Sequence, residues 1–223
     1  MSIPENIQRI LEEIPEKVKL IAVSKTKPQE DIQEAYNAGY KVFGENKPQE
    51  MTQKFHDLPK DIEWHMIGHL QTNKVKYIAP YVALIHAVDS FKLMKEIDKQ
   101  GRKNNRVINC LLQFHIASEE SKFGFDLEEA LSVLNSDEFK SLEGLNIVGV
   151  MGMATFTHDE EQVKSEFRNL KDIFEQLKTG IFAGKEDFRE ISMGMSGDYA
   201  LAIEEGSTMI RVGSSIFGAR NYV

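Results

Sequence analysis

Three stretches of this chain carry residue types that could do chemistry. In AVSKTKP, Lys25 follows directly on the apolar run Leu20–Val23. A lysine at the end of a buried strand is either a solvated side chain snorkelling to water or an amine held at the mouth of a pocket. In the second role, apolar walls and a nearby cation lower its pKa. The neutral nitrogen is then free to condense with an aldehyde as a Schiff base. SMGMSGD (Ser192–Asp198) and RVGSSIFG (Arg211–Gly218) are rich in glycine and serine. Backbone N–H groups, short hydroxyls and glycines that let the chain approach closely are what a phosphate requires. Ordinary Gly/Ser turn chemistry is the alternative for either segment alone.

The elements that would position these residues alternate. An opening amphipathic helix carries Ile3, Ile7, Ile10, Leu11 and Ile14 at helical spacing. Short apolar runs follow at Leu20–Val23, Lys41–Phe43, Trp64–Ile67, Ala83–His86, Val107–Gln113, Ile147–Val150, Phe188–Ile191 and Met209–Val212. Helical segments separate them, for instance Val163, Phe167, Leu170, Ile173, Phe174 and Leu177. Strand–helix alternation implies parallel strands joined by right-handed crossovers. About eight strands predict an α/β fold, a closed (β/α)8 barrel with an extra N-terminal helix and a single domain over residues 1–223. An open doubly wound sheet is the rival, but no Gly-x-Gly-x-x-Gly fingerprint follows the first run.

In such a barrel the chemistry sits where strands end. Ser24 and Lys25, Glu45 and Asn46, Gly68 to Asn73, Ser118 to Gly124, Met151 to Met153, Ser192 to Ser196, and Arg211, Gly213 and Ser214 would all face one mouth. Met151 and Met193 are placed there as a soft wall beside a ring. Two Gly/Ser loops after the seventh and eighth strands favour phosphate, because barrels often bind it there. A phosphate site across the mouth from a lysine on the first strand suggests pyridoxal 5′-phosphate (PLP). Lys27, just before Pro28, is expected on the loop outside the pocket.

Bulk properties exclude other classes. The chain has 223 residues and a net charge of −8, a poor match for nonspecific nucleic-acid binding. Cys110 is the only cysteine, so neither an intrachain disulfide nor a cysteine metal cluster is expected, and a reducing cytoplasm is the natural compartment. The N-terminus reads as no signal peptide, and no apolar run approaches the roughly 20 residues of a membrane span. His65 and His69 are spaced as zinc ligands can be, but they straddle a strand end with no third ligand nearby. Asp126–Ala130 reads as an acidic first helical turn.

The chain resembles the pyridoxal-phosphate homeostasis protein family, single-domain proteins similar to the N-terminal barrel of alanine racemase. Six ordered stretches carry the resemblance: AVSKTKP, FGENKPQE, WHMIGHLQTNK, HIASEESKFGF, GVMGMAT and SMGMSGDYALAIEEGSTMIRVGSSIFGAR. It implies a Schiff base on Lys25. It further implies a phosphate held by Ser196, Gly213, Ser214 and nearby backbone, including Ser192 and Gly194, with Arg211 toward the pyridine nitrogen and Asn46 and Met151 close by. The chain departs from the family pattern at Lys47, where an aromatic residue is usual, and at His115, where asparagine is; His69 occupies a variable position.

An arginine opposite the ring nitrogen disfavours its protonation and makes the ring a weaker electron sink. A structural salt bridge is the other use of Arg211. The expected function is binding and buffering of PLP, affecting vitamin B6 and amino-acid balance, with no second catalytic base evident. The alternatives are an amino-acid racemase and a barrel enzyme whose Lys25 forms a Schiff base with its substrate. Racemisation needs acid–base groups on both faces. The chain stops at Val223, soon after the last strand, so the second domain that supplies a racemase tyrosine is not expected. Expected partners are PLP and PLP-dependent apo-enzymes as recipients, without nucleic acid or membrane, for a monomer.

Overall fold

The structure, a computed structural model, describes residues 1–118 and 123–218. Among them, eight parallel strands close into a barrel in sequence order: β1 (Lys19–Val23), β2 (Val42–Glu45), β3 (Glu63–Met66), β4 (Leu84–Val88), β5 (Ile108–Gln113), β6 (Leu145–Met151), β7 (Glu190–Met195) and β8 (Met209–Val212). The helices are α1 (Ile3–Glu13), α2 (Gln29–Asn37), α3 (Pro48–Asp57), α4 (Val75–Ile78), α5 (Phe91–Lys103), α6 (Leu127–Asn135), α7 (Asp137–Lys140), α8 (Glu160–Thr179), α9 (Tyr199–Glu204) and α10 (Ser214–Phe217). β8 pairs with β1, which closes the ring and removes free edges. Helix α1 precedes the barrel. Its start is fixed by a capping box in which Ser2 and Glu5 satisfy each other's backbone N–H. Asp126 caps α6 by accepting from the Glu129 N–H, so the acidic run does begin a helix. No helix among the described residues is long and apolar enough to cross a membrane.

The period-two alternation of strands sorts the apolar residues into two cores. Leu20 and Ala22 face outward into the large core beneath the helices, while Ile21 and Val23 face inward. Inside, Leu84, Ala87, Leu111, Val148, Met151 and Met209 form one apolar cluster. Much of the remaining interior is polar. His65, His86, Ser192 and Arg211 are all buried there, where branched aliphatic residues usually fill a barrel.

Most strand ends fall within two residues of the sequence reading, and two of the differences bear on the site. β2 runs through Glu45, whose carboxylate is fully buried rather than displayed on a loop. β7 starts two residues late and extends to Met195, so Ser192, Met193 and Gly194 are strand residues and not part of a turn. Phe188 is excluded from β7 because its ring stacks on Phe174 and Phe182, locking it under α8. Met193 points into the outer core and not toward the mouth, and Met151 points into the inner cluster.

Candidate functional site

A cavity of about 630 Å³ opens at the C-terminal ends of the strands. It is lined by Val23 and Lys25 beside β1, Asn46 after β2, Ile67 after β3, and Met153 with Thr155–His158 after β6. Met195–Asp198 at β7 and Arg211 with Gly213–Ser215 at β8 complete it, with Val163 from α8. Six of the expected site residues therefore meet there: Lys25, Asn46, Ser196, Arg211, Gly213 and Ser214. Met151, Ser192 and Gly194 do not line it.

Lys25 sits on a tight turn. The Lys27 N–H donates to the Ser24 carbonyl at 3.0 Å, and Thr26 takes φ +63°, an uncommon and strained value for a β-branched residue. The turn is clamped from below. Glu50 Oε1 accepts the Thr26 N–H at 2.6 Å, and Lys54 Nζ donates to the Ser24 carbonyl at 2.9 Å, to Glu45 Oε1 at 2.8 Å and to Glu50 Oε1 at 2.7 Å. Ser24 Oγ donates to Glu45 Oε1 at 2.6 Å. Burial pushes the Glu45 carboxyl up, opposed by Lys54, and its second oxygen has no hydrogen-bond partner among the described residues. Lys27 lies outside the cavity lining, and its Nζ donates to the Phe217 carbonyl at 2.7 Å.

The Gly/Ser wall is built from the ends of β7 and β8. Ser196 Oγ accepts the Gly213 N–H at 3.2 Å, which ties the two loops together. Gly194, at φ +94°, turns β7 so closely onto α9 that a Cβ would sit 2.6 Å from Ala202 Cβ. Its role is this close packing. Gly68 serves the same end beside Asn46, whose Cα would lie 2.8 Å from an added Cβ. Because β1 pairs with β8, the Gly/Ser wall adjoins Lys25 and is not across the mouth from it.

Arg211 is buried in the cavity floor. One terminal nitrogen donates to Ser192 Oγ at 2.6 Å and the other to the Gly152 carbonyl at 3.1 Å. Desolvation pulls its pKa down to about 10, Asp198 acting in the opposite sense, so the guanidinium stays charged at neutral pH. Ser192, engaged by Arg211, positions that floor from inside the barrel. Both acceptors are neutral, so among the described residues Arg211 does not take up the alternative use in a structural salt bridge.

Other candidates are occupied elsewhere. His65 Nδ1 lies 2.9 Å from His86 Nε2, and His69 Nδ1 lies 2.9 Å from Asp89. Lys47 is exposed at the start of α3, and His115 is exposed after β5. Residues 119–122 of HIASEESKFGF lie outside the described residues. The sequence reading missed Thr155–His158 and Asp198. The loop holding the former is anchored by Glu166, which accepts from the Thr155 N–H at 2.6 Å and the Ser118 hydroxyl at 2.8 Å. Asp198 Oδ1 accepts the Met195 N–H at 2.5 Å, and burial raises its pKa. A short polar stretch without periodicity gives neither away.

The model of the alanine racemase N-terminal domain matches residues 2–221. The pyridoxal phosphate homeostasis protein of Aquifex aeolicus is 37% identical, the match covering 100% of both chains. The chain belongs to this family. Among solved structures, PipY of Synechococcus elongatus is similar both without PLP (TM-score 0.89, 34% identity) and with PLP bound (TM-score 0.86, 33% identity). Each match covers 97% of this chain and 100% of PipY. The alanine racemase of Bartonella henselae, solved with covalently bound pyridoxal phosphate, shares the fold at 16% identity and a TM-score of 0.73. That match covers 97% of this chain but 58% of the racemase. The family's barrel is thus the whole described body of this chain and part of a longer racemase.

Proposed function

We propose that this single-domain member of the family binds PLP at the barrel mouth as a Schiff base on Lys25 and serves cytoplasmic PLP homeostasis, with amino-acid balance depending on it. One observation carries the reading. A turn-held lysine, a Gly/Ser wall and a buried arginine converge on one cavity whose volume suits a small cofactor. The donor set fits the group: an amine for the aldehyde, and Ser196, Ser214, Ser215 and the Gly197 and Gly213 backbone for the phosphate. When bound, PLP supplies an aldehyde to amines and a ring that withdraws electrons best with its nitrogen protonated.

The residues of this chain favour holding over turnover. Arg211 can only donate, so it would offer a hydrogen bond to the cofactor's ring nitrogen and disfavour a proton there. Among the described residues no tyrosine lines the cavity, so a racemase would have to draw its second acid–base group from His158 or Asp198. The reading extends to PLP-dependent apo-enzymes as recipients, since the cavity opens outward at the mouth, and to a monomer. Its test is a titration of purified protein with PLP followed by visible absorption. The wild type should gain a saturable band that free PLP lacks, and Lys25→Ala should not; no band in the wild type would overturn the reading.

A further inference from the structure

A line of buried polar groups runs down the inside of the barrel from the cavity floor. Arg211 donates to Ser192 Oγ at 2.6 Å, Ser192 Oγ lies 2.8 Å from His86 Nδ1, and His86 Nε2 lies 2.9 Å from His65 Nδ1. His65 Nε2 then faces Glu63 Oε2 at 4.0 Å. Glu63 stands at the opposite end of the barrel, in a second recess of about 390 Å³ that Lys19, Glu190 and Arg189 also line. His86 and Ser192 are fully buried and His65, at the edge of that recess, nearly so, which leaves His86 and Ser192 to find their partners within the barrel.

One proton arrangement gives both the Arg211 and the Ser192 donors an acceptor within this file. A guanidinium has no acceptor, so the Ser192 oxygen must accept from Arg211 and its hydroxyl proton is left for His86 Nδ1. A neutral imidazole that accepts at Nδ1 carries its proton on Nε2, which then donates to His65 Nδ1. The same logic puts the His65 proton on Nε2, pointing at Glu63. We propose that Arg211–Ser192–His86–His65 is a one-way hydrogen-bond relay, ending where His65 Nε2 faces Glu63 across 4.0 Å, in which His86 and His65, both neutral with the proton on Nε2, are positioning residues that hold Arg211 as a donor facing the cavity. A reversed file, with His86 Nδ1–H donating to Ser192, would leave the Ser192 hydroxyl proton with no acceptor among the described residues.

The cations around His86 act in the same sense, whereas the carboxylates near His65 oppose it. His86 faces Arg211, Lys19 and His65, and desolvation comes first among the causes that hold its pKa well below the usual value. His65 faces Glu63, Glu190 and Lys19; burial lowers its pKa, while the Glu63 contact opposes that effect. Arg211 faces Asp198. A second cation inside the barrel would compete with Arg211 for Ser192.

The proton arrangement is independent of what occupies the cavity; its effect on bound cofactor rests on the proposed function. Imidazole nitrogen NMR of PLP-free, ¹⁵N-histidine-labelled protein should show His65 and His86 as Nε2–H tautomers that do not titrate from roughly pH 5 to pH 9. Ser192→Ala should release His86 into a mixture containing the Nδ1–H form. An Nδ1–H tautomer or an imidazolium at either wild-type histidine near neutrality would overturn the relay. In PLP-loaded protein, His86→Leu should shift the pH midpoint of the visible band by about one unit. His86→Gln, which keeps one acceptor and one donor, should restore it. Wild-type behaviour in both variants would refute the positioning role. If His86→Leu does not fold, the wild-type tautomers decide; if no PLP binds, the proposed function fails while they still decide.

Discussion

Lys54→Met removes the cation beneath the turn that carries Lys25. The Lys54 and Glu45 side chains are 5% and 0% exposed, so this pair is buried and not a surface bridge. The substitution leaves the Glu45 carboxylate with Ser24 Oγ and no counter-charge, and it frees the Ser24 carbonyl. Removing one partner of a buried pair costs about 3–5 kcal/mol. At roughly 2 °C per kcal/mol for a chain of this length, Tm should fall by about 6–10 °C. Glu45→Gln added to Lys54→Met removes the stranded charge and should recover at least half of the loss. The penalty also has a pH signature. Burial holds the folded pKa of Glu45 above its ordinary value of 4.5, and without Lys54 it rises further. A carboxyl raised in the folded state is least costly where it is protonated in both states. The deficit of Lys54→Met should therefore be smallest below about pH 4.5 and grow as pH rises through the folded pKa. Calorimetry across that range reads both effects. A Tm within about 2 °C of wild type, or a deficit that ignores pH, would refute this account of the clamp.

Ser196→Ala removes a hydroxyl from the Gly/Ser wall and the acceptor of the Gly213 N–H. PLP affinity measured by equilibrium dialysis should fall about 5–10-fold, the equivalent of about 1–1.4 kcal/mol. Gly194→Ala should cost about 2–4 kcal/mol in urea unfolding, since it combines a positive φ with a contact against Ala202. The contact with His65, aided by Lys19, holds the Glu63 pKa down at about 2, so its stabilising contribution is complete above about pH 4.5 and lost as pH falls toward 2. The stability difference between wild type and Glu63→Gln should close over that window in acid titrations.

The barrel was legible because strands buried on both faces read as continuous apolar runs. The run Leu20–Val23 falls within one residue of β1, and Met209–Val212 coincides with β8. β7 misled because Ser192-Met-Gly-Met has turn composition, and only pairing with β6 and β8 makes it strand. The shifts in register near Cys110 and between Ser192 and Met195 leave no trace in residue type. Lys25, Ser196 and Arg211 stood out because their chemistry is rare at strand ends. The interior file did not. His65 and His86 lie within apolar runs, and Ser192 is 106 positions from the histidine it meets. Closure of the ring, which no local pattern encodes, brings them together.

The central claim is a covalent bond between the cofactor aldehyde and one particular amine. Borohydride reduction of PLP-loaded protein, followed by proteolysis and peptide mass mapping, tests it most directly. A phosphopyridoxyl group on Lys25, absent from Lys27 and lost in Lys25→Ala, is the predicted result. Modification spread over surface lysines with Lys25 untouched would contradict it.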